Sequence, residues 1–368
     1  MNGNQSYGSH EHLQVTSQDI VFATLYSFIV FFGVMGNGIV ITIVRKTPSM
    51  HTATNYLLMN LAVADLLTLL LCPGVYDFAL NHFRINSAMG DMVCKLFVGN
   101  AIVCITFDAS VLTLCVIALE RYVAIVKPFK SSSWNIQSKK TGMVIAFIWV
   151  LAVILTLPDS LWTEYRKEHT LGSSRYPCIR PWTLDHESTV KTYIITHCVI
   201  LIVLPSILIS FCYLSILKVL KWDLSDPVID EADKSNMRRL LKLLVSLAMA
   251  FCILCLPFAC FFLYVAALEK TQIEADFASL FLAHRIVRVL IFFNSFINPL
   301  LYAAQSTNYR KALRGMICCR IAEGGASIER EVINLDKESM ISVNGERLQP
   351  MEDVCSCDYM ERWTIKQM

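Results

Sequence analysis

Seven stretches of apolar residues recur along the chain, separated by shorter segments that carry most of its charges. Each is long enough to cross the roughly 30 Å hydrocarbon layer of a membrane as a helix. Backbone amides find no water in lipid, so such stretches must be helical. The predicted spans are 20–44, 56–80, 92–126, 142–161, 192–217, 240–268 and 277–305.

The composition agrees with a membrane protein, because 55% of the residues are hydrophobic and only 17% are charged. A soluble domain would carry about 25% charged residues. The net charge of +2 says little, but 17 Lys and Arg residues follow spans 1, 3, 5 and 7, against 8 on the opposite side. The positive-inside rule therefore predicts an extracellular N-terminus and a cytoplasmic C-terminus.

The pattern divides the chain into four segments. Residues 1–19 form a polar extracellular tail, and 20–305 form the membrane bundle. Residues 306–319 are predicted to contain a short amphipathic helix on the inner membrane surface. The mixed, acidic tail at 320–368 is predicted to be disordered. No cleavable signal peptide is expected, because the first apolar run starts late and is too long.

Three modifications are predicted at the edges of the bundle. Cys94 and Cys178 lie in outer, oxidising regions and form the expected disulfide pair. The adjacent Cys318 and Cys319 follow the amphipathic segment and suit palmitoylation. Asn4 begins an Asn-Gln-Ser sequon, for which N-glycosylation and chance occurrence both stay open.

Nearly every span carries one distinctive polar or proline feature. In chain order these are Gly36-Asn37, Asp65, Glu120-Arg121-Tyr122, Trp149 with Pro158, Pro205 with Tyr213, Phe251 with Pro257, and Asn298-Pro299 with Tyr302. In this order the chain resembles the rhodopsin-like (class A) G-protein-coupled receptors over about residues 20–320. The resemblance implies an all-α seven-helix bundle with a short helix 8, no enzymatic activity and no nucleic-acid partner.

The resemblance implies a sodium site around Asp65, an acid near mid-membrane. Ser110, Asn294, Ser295 and Asn298 stand where the family places the sodium shell, and oxygen ligands suit a hard cation. The alternative is that Asp65 only hydrogen-bonds Asn37 and Asn298 as a structural contact. Sodium would be the only cofactor.

The resemblance also implies a switch at Glu120, Arg121 and Tyr122. Glu120 would hold Arg121 at rest, and activation would release Arg121 toward Tyr213 and Tyr302 while helix 6 opens to a heterotrimeric G protein. Many relatives add an acid on helix 6, but that position is Met237 here. Either basal activity is raised, or Glu120 alone suffices.

The helix 6 motif departs from the family at one position. Cys255 stands where relatives usually have a tryptophan, and we expect it to be a packing residue without metal or redox chemistry. The remaining activation core is implied to consist of Val111, Pro205, Phe251, Pro257 and Pro299.

Arg288 offers the sharpest clue to the ligand. The resemblance places it in the pocket, where arginine suits a carboxylate or another anionic group. Alternatively, Arg288 and Arg285 snorkel or pair with acids near 269–276, which is favoured for Arg285. The place of the acid that binds amines is Val103 when counted from one end of the span and Ala101 when counted from the other, and neither is charged. Val103 joins Arg288 as a candidate ligand-binding residue. Asp108 is predicted to pair with His197 or to face a polar gap.

The motifs of spans 3 and 7 look most like those of neuropeptide receptors. A receptor for a lipid or small carboxylate is the alternative, as is one with high basal activity. A retinal protein would need a lysine at Phe292 and is excluded, and a transporter or channel would need a polar path through the membrane. Arrestin and membrane lipid are further expected partners.

Overall fold

The structure is a computed structural model that describes residues 16–72, 92, 96, 101–127, 138–161, 164–165, 178–179, 187–223, 231–307 and 309–316. Within these residues, seven helices are long and apolar enough to cross a membrane. The predicted seven-helix, all-α architecture is therefore confirmed. The spans are α1 (Ser17–Lys46), α2 (Ala53–Leu70), α3 (Ala101–Val126), α4 (Ser138–Leu161), α5 (Glu187–Cys198, then π-helical Val199–Val203, then Leu204–Asp223), α6 (Glu231–Ala267) and α7 (Phe277–Gln305).

Four smaller elements lie between the spans in the part of the chain that the structure describes. A 3-10 turn at Pro48–Met50 connects α1 to α2, and a short helix at Lys270–Ala275 precedes α7. Two antiparallel strands, β1 (Glu164–Tyr165) and β2 (Cys178–Ile179), lie between α4 and α5.

The helix ends follow local signals. In α1, Thr16 Oγ1 accepts a hydrogen bond from Asp19 N and the Asp19 carboxylate accepts one from Thr16 N, so the helix begins slightly before the predicted boundary. Residues 277–305 form α7 as predicted. The helix of the second span ends at Leu70, and the predicted residues 73–80 lie outside the described residues. In the sequence, Pro73 disfavours helix in the residue before it.

Prolines interrupt the regular backbone hydrogen bonding of several helices. Pro158, Pro257 and Pro299 lie inside α4, α6 and α7. In α5, Pro205 follows the π-helical segment directly. A proline has no amide hydrogen and crowds the carbonyl four residues earlier, which here is Leu201 inside that segment. The π-turn is the local response that accommodates Pro205 within a continuous helix.

Close packing and buried hydrogen bonds hold the bundle together. A Cβ on Gly36 of α1 would lie 2.8 Å from Pro299 Cβ, so only glycine permits this approach to α7. Asn60 of α2 accepts from Trp149 Nε1 at 3.0 Å and donates to Thr113 Oγ1 at 2.8 Å, which joins α2, α3 and α4. These contacts fix the helices that position the polar sites.

Large apolar side chains face outward. Phe31, Phe147 and Ile207 are 59%, 66% and 60% exposed on α1, α4 and α5. Such exposure suits a lipid surface and would be unusual for a protein in water.

The segment after α7 forms a unit of its own, and residues 309–316 of it are helical. Ser306 begins this helix, because its Oγ accepts from Tyr309 N at 3.2 Å and its carbonyl accepts from Arg310 N at 3.1 Å. Lys311 and Arg314 are exposed, while Tyr309 is buried. Burial also raises the pKa of the Tyr309 phenol.

Candidate functional site

Asp65 lies in a buried polar group formed by α2, α3 and α7. Its side chain has no exposed surface. Ser110 Oγ donates a hydrogen bond to Oδ1 at 3.0 Å, and Asn298 Nδ2 donates to Oδ2 at 2.7 Å. A carboxylate inside a membrane is costly unless polar partners surround it, and these two contacts supply such partners.

Asn294 and Ser295 complete the predicted set around this acid. Both are buried, with exposed fractions of 2% and 0%, and the Ser295 hydroxyl has no hydrogen-bond partner among the described residues. The alternative prediction was that Asp65 bonds both Asn37 and Asn298. Among the described residues, the bond with Asn298 is present and the bond with Asn37 is not. The Asn37 amide donates instead to the carbonyl of Ser295 at 3.0 Å and to its own helix at 2.9 Å. Its Oδ1 is buried without a partner among the described residues.

The donors around Asp65 fit a hard, singly charged cation. They are one carboxylate, serine hydroxyls and amide oxygens, including the unpartnered Oδ1 of Asn37. Such oxygen ligands select hard cations. The hydrogen bonds to Asp65 among the described residues come from Ser110 and Asn298 and bring no second carboxylate, so a cation here would meet a single negative charge. That charge suits a monovalent ion better than a divalent one.

Arg121 lies near the C-terminal end of α3 and is held there by two partners. Its Nε lies 2.8 Å from Glu120 Oε2, with both side chains less than one fifth exposed. Its Nη2 also donates to Thr54 Oγ1 of α2. Thr54 in turn lies 3.3 Å from each carboxylate oxygen of Glu120. Sequence reasoning missed Thr54, because a hydroxyl near the start of a span does not reveal which helix it will face.

The other residues of the predicted switch are tyrosines on α3, α5 and α7. Tyr213 and Tyr302 are buried, with 6% and 3% exposure. Tyr122 packs against Phe211 of α5, with ring centroids 5.8 Å apart. The side chain of Met237 lies outside the described residues, so the helix 6 contribution at that position stays a prediction.

A hydrogen bond joins the first half of α6 to the C-terminal end of α7. Gln305 Nε2 donates to Ser246 Oγ at 2.9 Å, and Ser246 Oγ donates to Lys242 O of its own helix at 2.8 Å. This link was not predicted. A polar side chain in an apolar span indicates that a hydrogen-bond partner exists, but the sequence does not identify that partner.

Most residues of the predicted activation core are buried, but Pro257 is partly exposed. Val111, Phe251 and Cys255 have no exposed surface, and Pro205 is buried beside the π-turn. Cys255 is a free cysteine. Its complete burial is consistent with the expected packing role.

A second polar cluster lies farther from Arg121, where α3, α4 and α5 meet. Thr156 Oγ1 donates to Asp108 Oδ2 at 2.7 Å, and His197 Nε2 lies 3.3 Å from the same oxygen. The predicted pairing of Asp108 with His197 is therefore present. Thr156 was not anticipated.

The two arginines in the first half of α7 differ in their surroundings. Arg285 pairs with Asp19 of α1 at 2.8 Å and covers the ring of Phe22 at 4.1 Å, so its partner is not one of the acids near 269–276. Arg288 is partly exposed. Val103 packs into the hydrophobic cluster that includes Phe292 of α7.

Several predicted residues fall outside the described part of the chain. They are Asn4, Cys94, Cys318, Cys319 and the side chain of Cys178. Their modifications stay predictions.

Comparison with known proteins gives one family and a consistent set of relatives. Residues 36–302 match the family described as 7 transmembrane receptor (rhodopsin family). The chain is 29% identical over 314 residues to the Tachykinin-like peptides receptor 86C of Drosophila melanogaster, covering 82% of this chain but only 59% of that receptor. It is 30% identical over 306 residues to Neuropeptide Y receptor type 2 of Sus scrofa and of Homo sapiens, covering 82% of this chain and 76% and 77% of those receptors.

Proposed function

Since the chain belongs to the rhodopsin family of seven-transmembrane receptors, we propose that it binds a peptide and activates heterotrimeric G proteins from the plasma membrane. The named relatives are receptors for tachykinin-like peptides and for neuropeptide Y, which supports a peptide ligand. The charge distribution supports an extracellular N-terminus. The family is one of receptors, and the chain is not an enzyme.

The observation that carries the signalling proposal is the restrained arginine of α3. Glu120 engages Arg121, as expected at rest, and Thr54 adds a second contact that was not expected. A charge-assisted pair in a partly dry setting is strong enough to bias two conformations. Opening of the inner end of α6 would let the G protein compete for Arg121.

Arg288 is the proposed anchor for a carboxylate or another anionic group of the ligand. Arg288 lies on the same helix as Arg285, which is paired with Asp19. Arg288 itself forms no hydrogen bond or ion pair with the described residues. A guanidinium held partly out of water binds carboxylates and carbonyl groups well. A lipid or small carboxylate would bind the same arginine, and such a compound is the second candidate for the ligand.

A screen decides between these ligands. Cells that express the receptor are exposed to a peptide library and to a fatty-acid and small-acid library, with a panel of G-protein activation sensors as readout. We expect responses to peptides, and a response only to acids would overturn the peptide proposal. Failure of every sensor with every ligand would count against G-protein coupling.

Matched arginine variants then test the anchor. Arg288→Gln should lower the potency of the peptide found in the screen by about 10-fold or more, because hydrogen bonds to charged groups contribute about 1.5–3 kcal/mol. Arg285→Gln removes the same charge one turn away and should change potency little. Equal effects of both variants would refute a specific contact at Arg288.

Sodium is the proposed allosteric ion of the group around Asp65. The residues present fit it, with Asp65 and Ser110 supplying oxygens and Ser295 and Asn37 close by. When bound, the ion would neutralise the buried carboxylate and add a link between α2, α3 and α7. Arrestin binding to the tail and lipid modification at Cys318 and Cys319 complete the proposal.

A further inference from the structure

Three basic side chains lie where α5 ends and α6 begins, and the proposed signalling mechanism does not use them. They are Lys218 of α5 and Arg238 and Lys242 of α6. All three are exposed, and none of their charged groups forms an ion pair with the described residues. Their positive charge is therefore available to a partner outside the chain.

Lys218 continues the lipid-facing stripe of α5. Ile207, Phe211 and Leu214 are each more than half exposed on this helix. They precede Lys218 by eleven, seven and four residues, which at about 100° per residue places them within about 40° of its direction. The ammonium group therefore ends an apolar stripe that suits contact with acyl chains.

The two cations of α6 have the same relation to its own apolar stripe. Met249 and Ile253 are more than half exposed and follow Lys242 by seven and eleven residues, within about 20° of its direction. Arg238 lies one turn before Lys242 on this face. Long basic side chains at such a place keep their stems on apolar surface and extend their charges to the headgroup layer.

The three cations lie at a similar depth on neighbouring helices. Tyr213 of α5 and Leu244 of α6 line one small cavity, so these two residues mark a common level. At about 1.5 Å per residue, Lys218 lies about 7.5 Å beyond that level, between Lys242 at about 3 Å and Arg238 at about 9 Å. Packed helices are about 8–10 Å apart, so side chains of this length can reach one small ligand from both helices.

The charge and the direction of these side chains select the ligand. Three positive charges around one place favour a ligand with several negative charges, and arginine and lysine are both phosphate-binding groups. A protein that enters the bundle would meet the opposite face of α6, where Leu244 and Leu247 are buried. The face that carries the cations is the one turned toward lipid.

We infer that Lys218, Arg238 and Lys242 form a binding site for a phosphoinositide, a phospholipid whose headgroup carries several phosphates. Bound there, the lipid would join the end of α5 to the start of α6. The charge bias of the chain places this leaflet on the cytoplasmic side. Binding itself depends neither on that orientation nor on the proposed peptide and G protein.

The first experiment measures lipid binding by the full-length receptor in phosphatidylcholine nanodiscs. The receptor carries a donor fluorophore, and a trace of phosphatidylinositol bisphosphate carries the acceptor on its acyl chain, so that energy transfer reports binding. Unlabelled phosphatidylinositol bisphosphate should compete at least about tenfold better than phosphatidylserine at equal total charge, because charges near the surface act together. Equal competition per unit of charge would overturn the site and leave only a general attraction to anionic membranes.

Matched charge variants locate the site. Replacing all three of its cations with glutamine should weaken binding at least about tenfold. The control removes three exposed cations from the ends of α1 and α3, as Arg45→Gln, Lys46→Gln and Lys127→Gln, and should weaken binding less than about twofold. A variant with Lys218→Arg and Lys242→Arg keeps the charges and should bind like wild type. Equal losses in the site and control variants would overturn the assignment to α5 and α6.

A G-protein measurement on the same site variant distinguishes the lipid from a protein partner. Reduced G-protein activation with unchanged lipid binding would overturn the proposal in favour of a protein contact. Because the lipid measurement needs neither an agonist nor a G protein, failure of the peptide screen leaves its result standing. If the site variant cannot be purified, the comparison of the two lipids on wild type still decides.

Discussion

The hydrogen bond between Ser246 and Gln305 should restrain basal signalling. It links the inner half of α6 to the last residue of α7, with Gln305 Nε2 and Ser246 Oγ 2.9 Å apart. If α6 opens on activation, this contact is lost. Ser246→Ala removes the acceptor of this bond. Because the bond is made only in the resting state, its loss should shift the equilibrium between resting and active receptor toward the active state.

The magnitude follows from the contact. A hydrogen bond between neutral side chains contributes about 0.5–1.5 kcal/mol, and both side chains here are partly buried. At about 1.4 kcal/mol per factor of ten, basal activity should rise about twofold to about twelvefold. Since Ser246 also bonds Lys242 O of its own helix, part of the effect could come from that contact. A double-mutant cycle separates the two.

The assay is agonist-free nucleotide exchange on G protein, normalised to receptor at the cell surface. Ser246→Ala and Gln305→Leu should each raise the basal rate, and the double variant should resemble either single variant. Thr42→Val is the control, because that hydroxyl donates only to Gly38 O of its own helix at 2.8 Å. Unchanged basal rates, or effects that simply add, would refute the reasoning.

Three further predictions address other parts of the bundle. Asp65→Asn should abolish the effect of sodium on agonist affinity, measured in sodium chloride against choline chloride, and an unchanged sodium effect would exclude the site. Thr54→Val should raise basal nucleotide exchange, since it removes one of the two groups that hold the arginine of α3; a rate equal to wild type would assign the restraint to the acid alone. Gly36→Val should destabilise the receptor by about 1–3 kcal/mol, seen as a lower melting temperature, because its Cβ would crowd Pro299. Gly38→Val, where a Cβ meets nothing within 4 Å, is the control, and equal melting temperatures would contradict the packing argument.

The helices were largely predictable, because the length of an apolar window is a property of the chain alone. Residues 277–305 form a helix from end to end as expected. The end of α2 at Leu70 was missed, since the residues up to 80 are nearly as apolar as those before them. Hydropathy counts residues that tolerate lipid, whereas the helix end depends on local backbone conformation.

Partners across helices were harder to predict. The acid at Asp65 indicated a polar shell, and resemblance supplied its members. No such guide existed for Thr54 or Thr156, because their partners depend on the rotation and relative height of two neighbouring helices. Periodicity within one span defines neither quantity. The pairing of Asp108 with His197 was reachable only because both are rare in a membrane.

The π-helical turn at Val199–Val203 divides α5 into two lengths whose faces can change independently. One extra residue turns the side chains on one side of it by about 100° relative to those on the other. His197 stands just before the turn, and the buried Ile209 and Tyr213 follow it. An insertion or deletion of one residue there would present a different side chain to α3 on the outer side while the inner side kept its register. Such a change would therefore alter the ligand-facing side chains of α5 and leave its signalling residues in place.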